Sequence, residues 1–275
     1  MKGCHDRGPG PDPKAIARGL LRRAAVVLLR ARSRPYPIDG GSRCLVVSPH
    51  QDDSTLGCGG TIILKRLDAA PVDILYLTDG SGSHPGHPTL SPGQLSALRR
   101  DEEMAALGIL GLDRSRAHFL GARDGTLPSL DAAQTGEFAG RIAEILREIR
   151  PTEIFLPCRA DRSAEHEAGF RLVLRGVGIS GLRPRILQYP VWSWWDPRPL
   201  FIPALACRRV WRVRFKGYAH LKLRALGCYA SQSEPTPPWT EPRLPRKFLS
   251  SFACDEEFFL EDAARHGPPI PSPHS

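Results

Sequence analysis

The run Pro49-His50-Gln51-Asp52-Asp53-Ser54-Thr55-Leu56-Gly57-Cys58-Gly59-Gly60 brings an imidazole and two carboxylates together just ahead of a glycine-rich stretch. A histidine and a carboxylate three residues apart at a strand tip, as His50 and Asp53 would be, can converge on one divalent ion. The adjacent carboxylate, Asp52, then projects to a different side, near enough to take a proton from water held by that ion. A second run, Pro157-Cys158-Arg159-Ala160-Asp161-Arg162-Ser163-Ala164-Glu165-His166, precedes a predicted helix and offers His166 as another imidazole. Two histidines and one carboxylate, with a position left open for water, are a familiar catalytic zinc arrangement. The same residues also fit a loop histidine, a carboxylate pair capping the next helix, and a Ser163 whose main role is helix N-capping. Glycines 57, 59 and 60 are expected to let the backbone turn tightly into that helix. No Gly-Lys-Ser/Thr follows them, which excludes a P-loop.

These runs must be held by the elements around them. Cys44–Ser48 is a short continuous apolar run suited to a strand buried on both faces, and Val72–Thr78 is the next. His118–Leu120 and Glu153–Leu156 read as two more strands. Helical patterns cover 55–67, 91–111, 132–150 and 165–176, with Pro151 marking the end of the third. Strands alternating with helices of this length predict an α/β fold, a single domain with a mostly parallel sheet and helices on both faces. Ligands in such open sheets bind beyond the carboxyl ends of the strands. That rule points to the loops after Ser48, Thr78, Leu120 and Leu156. Ile186–Trp192 and Val210–Phe215 read as further strands, and Lys222–Ser231 as helical. The expected organisation is 1–41 for a leader, a basic amphipathic helix from Pro13 to about Arg32 and a linker, 42–254 for the domain, and 255–275 for a tail.

With 275 residues, 41% of them hydrophobic, the chain has the material for a full core, which excludes a mostly disordered protein. Its longest apolar runs fall far short of the roughly 20 residues a bilayer span needs. The net charge is +9, with Arg supplying 32 of 38 basic residues. That balance favours anionic partners, but no helix-turn-helix, zinc-finger or RNP-type motif supports a nucleic-acid binder, and none is expected. Seven scattered cysteines without a CxxC pair read as buried free thiols in a reducing cytoplasm. The N-terminus lacks the form of a secretory signal. Its basic amphipathic helix suits either packing on the domain or peripheral contact with a membrane.

PHQDDSTLGCGGTI resembles the (A/S)-H-P-D-D-E-x-x-G-C-G-G signature of the PIG-L (LmbE-like) family of zinc-dependent N-deacetylases. Leu77-Thr78-Asp79-Gly80 is similar to that family's second strand and loop, and Arg99-Arg100-Asp101-Glu102 to its Arg-x-x-Glu helix. Phe119–Gly125 resembles its FLGxxDG segment and Asp161–His166 its D-x-H-P-D-H element. Lys222–Gln232 resembles its KxxAxxxYxSQ helix. The resemblance covers about residues 42–232. It implies a Rossmann-like fold and removal of acetyl groups from N-acetylglucosamine-type sugar conjugates. It also implies Zn2+ held by His50, Asp53 and His166, with Asp52 as general base. Asp124 and Arg100 (or Arg99) would face the substrate, while Asp161, Glu165 and Ser163 would stand behind the ligands. Three positions depart from the family: Gln51 replaces Pro, Ser54 replaces Glu, and Ser163 and Glu165 replace the first His and the Asp of H-P-D-H. With that His absent, Asp52 is expected to return the proton to the leaving amine, or else a histidine such as His84, His87 or His220. A relative that binds zinc and sugar without turnover is the alternative expectation. The basic surface suggests an anionic substrate, nucleotide- or lipid-linked.

Overall fold

The computed structural model describes residues 13–261. The expected leader at 1–12 and the tail beyond 261 lie outside the described residues. The chain runs α1 (Pro13–Arg32), β1 (Ser33–Pro35), β2 (Cys44–Ser48), α2 (Asp53–Leu67), β3 (Val72–Thr78), α3 (Pro92–Leu110), β4 (Ala117–Ala122) and α4 (Ala132–Ile149). It continues with β5 (Glu153–Pro157), α5 (Ala164–Ser180), β6 (Arg185–Tyr189), α6 (Arg198–Ala206), β7 (Arg209–Arg214), α7 (Ala219–Leu226), α8 (Ala230–Ser233), α9 (Arg246–Leu249) and β8 (Glu256–Glu261). One eight-stranded sheet has the order β1-β7-β8-β6-β5-β2-β3-β4. β8 is antiparallel to both of its neighbours, and the other pairings are parallel.

Side chains alternate across each strand, so the sheet builds two cores. On one face Val46, Tyr76, Phe155, Tyr189, Val213 and Phe259 pack against α2, α3 and α7. On the other, Leu45, Val47, Leu75 and Leu156 pack against α4 and α5, while Val210, Phe258 and Leu260 meet Leu29 of α1 and Leu200 and Ala204 of α6. The strands β2, β3 and β5 are buried throughout, in keeping with their largely apolar sequences, and Asp73 and Glu153 are their buried carboxylates. Helix ends follow from local chemistry. Ser91 caps α3 in a reciprocal box with Gln94, and Asp131 caps α4 in the same way with Gln134. Gly111 and Gly181 close α3 and α5 in the left-handed conformation.

Two expectations at the chain ends are corrected. Residues 256–261, placed by sequence in a tail, form an interior strand. Its pattern is disguised because Glu257 points inward, where it accepts from Gly60 N, Thr61 N and Lys222 Nζ at 2.7–2.8 Å. Ser33–Pro35, expected to be linker, pairs with β7 at the sheet edge. The glycines of α2 also act differently than expected. None of the three has a positive φ, so the backbone turn does not require them. A Cβ on Gly57 or Gly60 would instead collide with the rings of Tyr189 or Phe215, so these two positions permit close packing.

Candidate active site and metal centre

Strand order reverses between β2 and β5, whose neighbours run outward in opposite directions. Their carboxyl ends therefore flank the crevice such sheets use for ligands. The loop leaving β2 carries His50 and Asp52 and leads into Asp53, the first residue of α2, while that leaving β5 carries Asp161 and leads to His166 in the first turn of α5. Asp52 makes no side-chain capping bond to α2, and Asp53 Oδ2 accepts from His50 N at 3.0 Å. The carboxylate pair is not capping the helix.

His50 Nδ1 lies 3.1 Å and His166 Nε2 3.3 Å from the same Asp53 oxygen. These three residues can present one ligand atom each within 4.8 Å of one another. Behind them, His166 Nδ1 lies 3.0 Å from Asp161 Oδ2, fully buried. Asp161 also accepts from Val191 N, Ser193 N and Ser193 Oγ, which fixes the carboxylate. An Nδ1–H donated to Asp161 leaves His166 Nε2 as the lone-pair nitrogen. That atom is buried without a hydrogen bond and faces a carboxylate. Two acceptors so placed require a cation or a proton between them, and the donor set of two imidazoles and a carboxylate fits zinc. Burial opposes a charged His166, but the Asp53 carboxylate and the bond to Asp161 outweigh it and raise its pKa to about 9. Burial likewise opposes the Asp53 carboxylate, yet His166 and His50 hold it far below its usual range. The site concentrates negative charge in the way a divalent cation would use.

His50 Nε2 turns to a second group, 3.2 Å from Asp124 Oδ1 and 3.9 Å from Glu165 Oε2. Asp124 is held by Gly82 N at 3.1 Å, and its own amide donates to Asp79 Oδ1, tying together the loops after β3 and β4. Glu165 Oε1 accepts from Leu127 N. Its Oε2 is buried without a hydrogen bond, and burial raises its pKa. Ser163 accepts from His166 N at 3.3 Å as the N-cap of α5. It is the cap expected of it and holds the turn that delivers His166.

Asp52 receives a hydrogen bond from Arg99 Nη2 at 2.9 Å, with both residues buried. The expected substrate contact Arg100 lies apart from Asp52, on the outer side of α3. It is exposed, with its guanidinium 4.1 Å over the Phe119 ring. On α3 the inward positions are Leu95, Arg99, Glu102 and Glu103, and a residue one place further is turned by about 100°. That period was the available signal for choosing Arg99. Glu102 accepts from Ser231 N and Oγ, while Glu103 holds the hydroxyls of Tyr76 and Tyr229. These contacts dock the Tyr229–Gln232 segment beside the loop.

Of the spare histidines, His220 is exposed on α7. His84 stacks on Trp239 at 5.2 Å, with His87 against the same ring. Burial, helped by Arg243, His87 and Arg99, lowers the His84 pKa to about 4. It therefore carries no proton to donate as an imidazolium near neutral pH.

Residues 45–177 match the profile of the PIG-L family, described as GlcNAc-PI de-N-acetylase. Over that segment, just under half of its length, the chain is similar to this family. A diacetylchitobiose deacetylase of Thermococcus kodakarensis is 34% identical over 153 residues, 53% of this chain and 53% of that protein. A 1D-myo-inositol 2-acetamido-2-deoxy-α-D-glucopyranoside deacetylase of Kineococcus radiotolerans is 31% identical over 201 residues, covering 62% of this chain and 55% of that protein. The chain thus spans about half the length of these two curated relatives. In fold, the chain resembles N,N'-diacetylchitobiose deacetylase from Pyrococcus horikoshii. The TM-score is 0.55 at 22% identity, over 82% of this chain and 81% of that one. Among the described residues no helix is long and apolar enough to cross a membrane.

Proposed function

We propose that this protein is a metal-dependent N-deacetylase that hydrolyses the acetamide of an N-acetylated amino-sugar conjugate. His50, Asp53 and His166 would hold zinc, and Asp52 would act as the base. The observation that carries this reading is the buried His166 Nε2, without a hydrogen bond, aimed at Asp53 while Asp161 fixes the other ring nitrogen. Zinc, when bound, supplies a Lewis acid for an amide carbonyl and lowers the pKa of water from about 15.7 to roughly 7.

The protein's own groups do the rest. Asp52 accepts the proton of the attacking water, and Arg99 keeps its carboxylate oriented and charge-compensated in a buried setting. The Ser163 hydroxyl is too weak an acid to protonate an amine near neutral pH, and His84 is neutral there. Asp52, having taken the proton of the water, would return it to the departing amine. Asp124 and Glu165, on the side of His50 away from Asp53, border the space where sugar hydroxyls would lie. The chain's net charge of +9 favours a conjugate carrying an anionic group, such as a nucleotide- or lipid-linked diphosphate.

The test is metal content measured together with amine release from a panel of N-acetylglucosamine conjugates, for wild type and Asp52→Ala. Stoichiometric zinc, with release abolished by Asp52→Ala and zinc retained, is the expected result. Failure to take up metal would overturn the assignment. Zinc uptake without release from any conjugate would favour a binding relative without turnover.

A further inference from the structure

We propose that the outward faces of α1 and α6 together form a docking surface for an anionic lipid bilayer. The inference stands independently of the reading of the active site. The inward faces of both helices are already used: Leu29 of α1 and Leu200 and Ala204 of α6 share one apolar cluster with Val210, Phe258 and Leu260. A helix with one buried stripe ordinarily turns polar residues to water on the other side. Here that side is apolar as well.

On α1 the exposed positions include Ile16, Leu20, Ala24, Val27 and Ala31. At 100° per residue they fall within an arc of about 80° and run for about 22 Å. Leu20 is 61% and Val27 65% exposed. On α6, packed beside α1, Ile202 is 75% and Leu205 56% exposed. Five large aliphatic side chains on two neighbouring helices are thus left to solvent, more than scattered surface residues account for.

The charge pattern names the occupant. α1 contains no acidic residue and six basic ones, Lys14, Arg18, Arg22, Arg23, Arg30 and Arg32. By helical angle Arg23 and Arg30 border the apolar stripe directly. Arg30 is anchored on Glu256 at 2.8 Å, and Arg22 on the Trp194 carbonyl at 2.9 Å, so the helix is held in place on the domain. Arg198 and Arg208 flank the exposed residues of α6. An apolar stripe edged by arginine matches the boundary between acyl chains and anionic headgroups. A second copy of this chain fits less well. An antiparallel two-fold contact centred on the stripe would set Arg23 close to its own counterpart, like charge against like.

The experiment is flotation of the full chain with phosphatidylcholine vesicles and with phosphatidylcholine–phosphatidylglycerol vesicles, in low and high salt. Binding at least about tenfold tighter to the anionic vesicles, weakened by salt, is expected. Val27→Glu and Ile202→Glu should each reduce binding about tenfold or more with an unchanged melting temperature, since both side chains are mostly exposed. Absence of vesicle binding would overturn the proposal, as would binding unaffected by both substitutions. A dimer that Val27→Glu dissociates, without vesicle binding, would assign the surface to a second copy instead. Metal uptake and amine release by the same variants should stay at wild-type values in detergent-free solution, which separates this test from that of the active site.

Discussion

Replacing Asp161 by Asn tests the argument that the site is built around one nitrogen. Asp161 is 3% exposed and receives hydrogen bonds from the His166 ring, two backbone amides and the Ser193 hydroxyl. An asparagine of nearly the same shape keeps one acceptor oxygen and turns an NH2 group toward donors. At least one buried N–H then loses its partner, at a cost of about 1–3 kcal/mol, which a domain of this size survives. The ring loses the charge that holds Nδ1–H in place, so His166 no longer presents Nε2 as its lone-pair atom in a fixed orientation. Substitutions at such supporting carboxylates typically weaken metal binding about 10–100-fold. Zinc affinity measured by competition with a chromophoric chelator at neutral pH should fall by that factor, with circular dichroism confirming the native fold. Folded Asp161→Asn protein that binds zinc within about twofold of wild type would refute the reasoning, because the tautomer argument gives it no route to do so.

The remaining expectations follow from neighbouring contacts. Arg99→Met should lower amine release by more than about tenfold while zinc stoichiometry holds, since it strips the partner from a buried carboxylate that is not a ligand. Zinc affinity should rise with pH between about 7 and 9, by up to about tenfold per unit for each proton released. His166, with its pKa raised to about 9, must lose a proton to bind, and chelator competition across that range reads the slope. Burial raises Glu103 from its ordinary 4.5 to about 8. The folded state therefore binds an extra proton between those values, and stability should fall as pH rises through that window. Glu103→Gln should flatten the loss, seen in urea midpoints. Gly57→Ala should prevent stable folding or cost several kcal/mol, because its Cβ would overlap the Tyr189 ring in a closed core.

Most of the parallel sheet was legible because its signals are local. β2 and β3 appear in the structure with the bounds their apolar runs suggest, and α1 and α4 with bounds given by period and caps. β8 was not legible, since the inward Glu257 belongs to a strand only in the presence of Lys222, 35 residues earlier. A charged residue in a core position shortens the apolar run by which a strand is read, here to Phe258–Leu260. Which of Arg99 and Arg100 lies beside Asp52 was left open for a smaller reason: two adjacent arginines carry the same chemistry, and only the helical phase set by Leu95, Glu102 and Glu103 separates them. The position of Glu165, with one oxygen turned toward His50, depends on how the loop after β5 meets that after β4, and no local pattern encodes that meeting.

The place of β8 in the sheet has a consequence for assembly during synthesis. Residues 45–193, which contain His50, Asp53, His166 and the Val191 and Ser193 groups that hold Asp161, leave the ribosome well before residue 256. Their strands β2, β3, β4 and β5 pair among themselves. β1 and β7, by contrast, join the rest of the sheet only through β8. The nascent chain can thus shape its chemical centre early, while α1 waits with its arginines and aliphatic stripe for the last strand to dock. A nascent polypeptide held at this stage would carry that basic, greasy helix on α6 and Trp194, without Glu256, Phe258 and Leu260 beneath it, which makes the final strand the step that completes the surface.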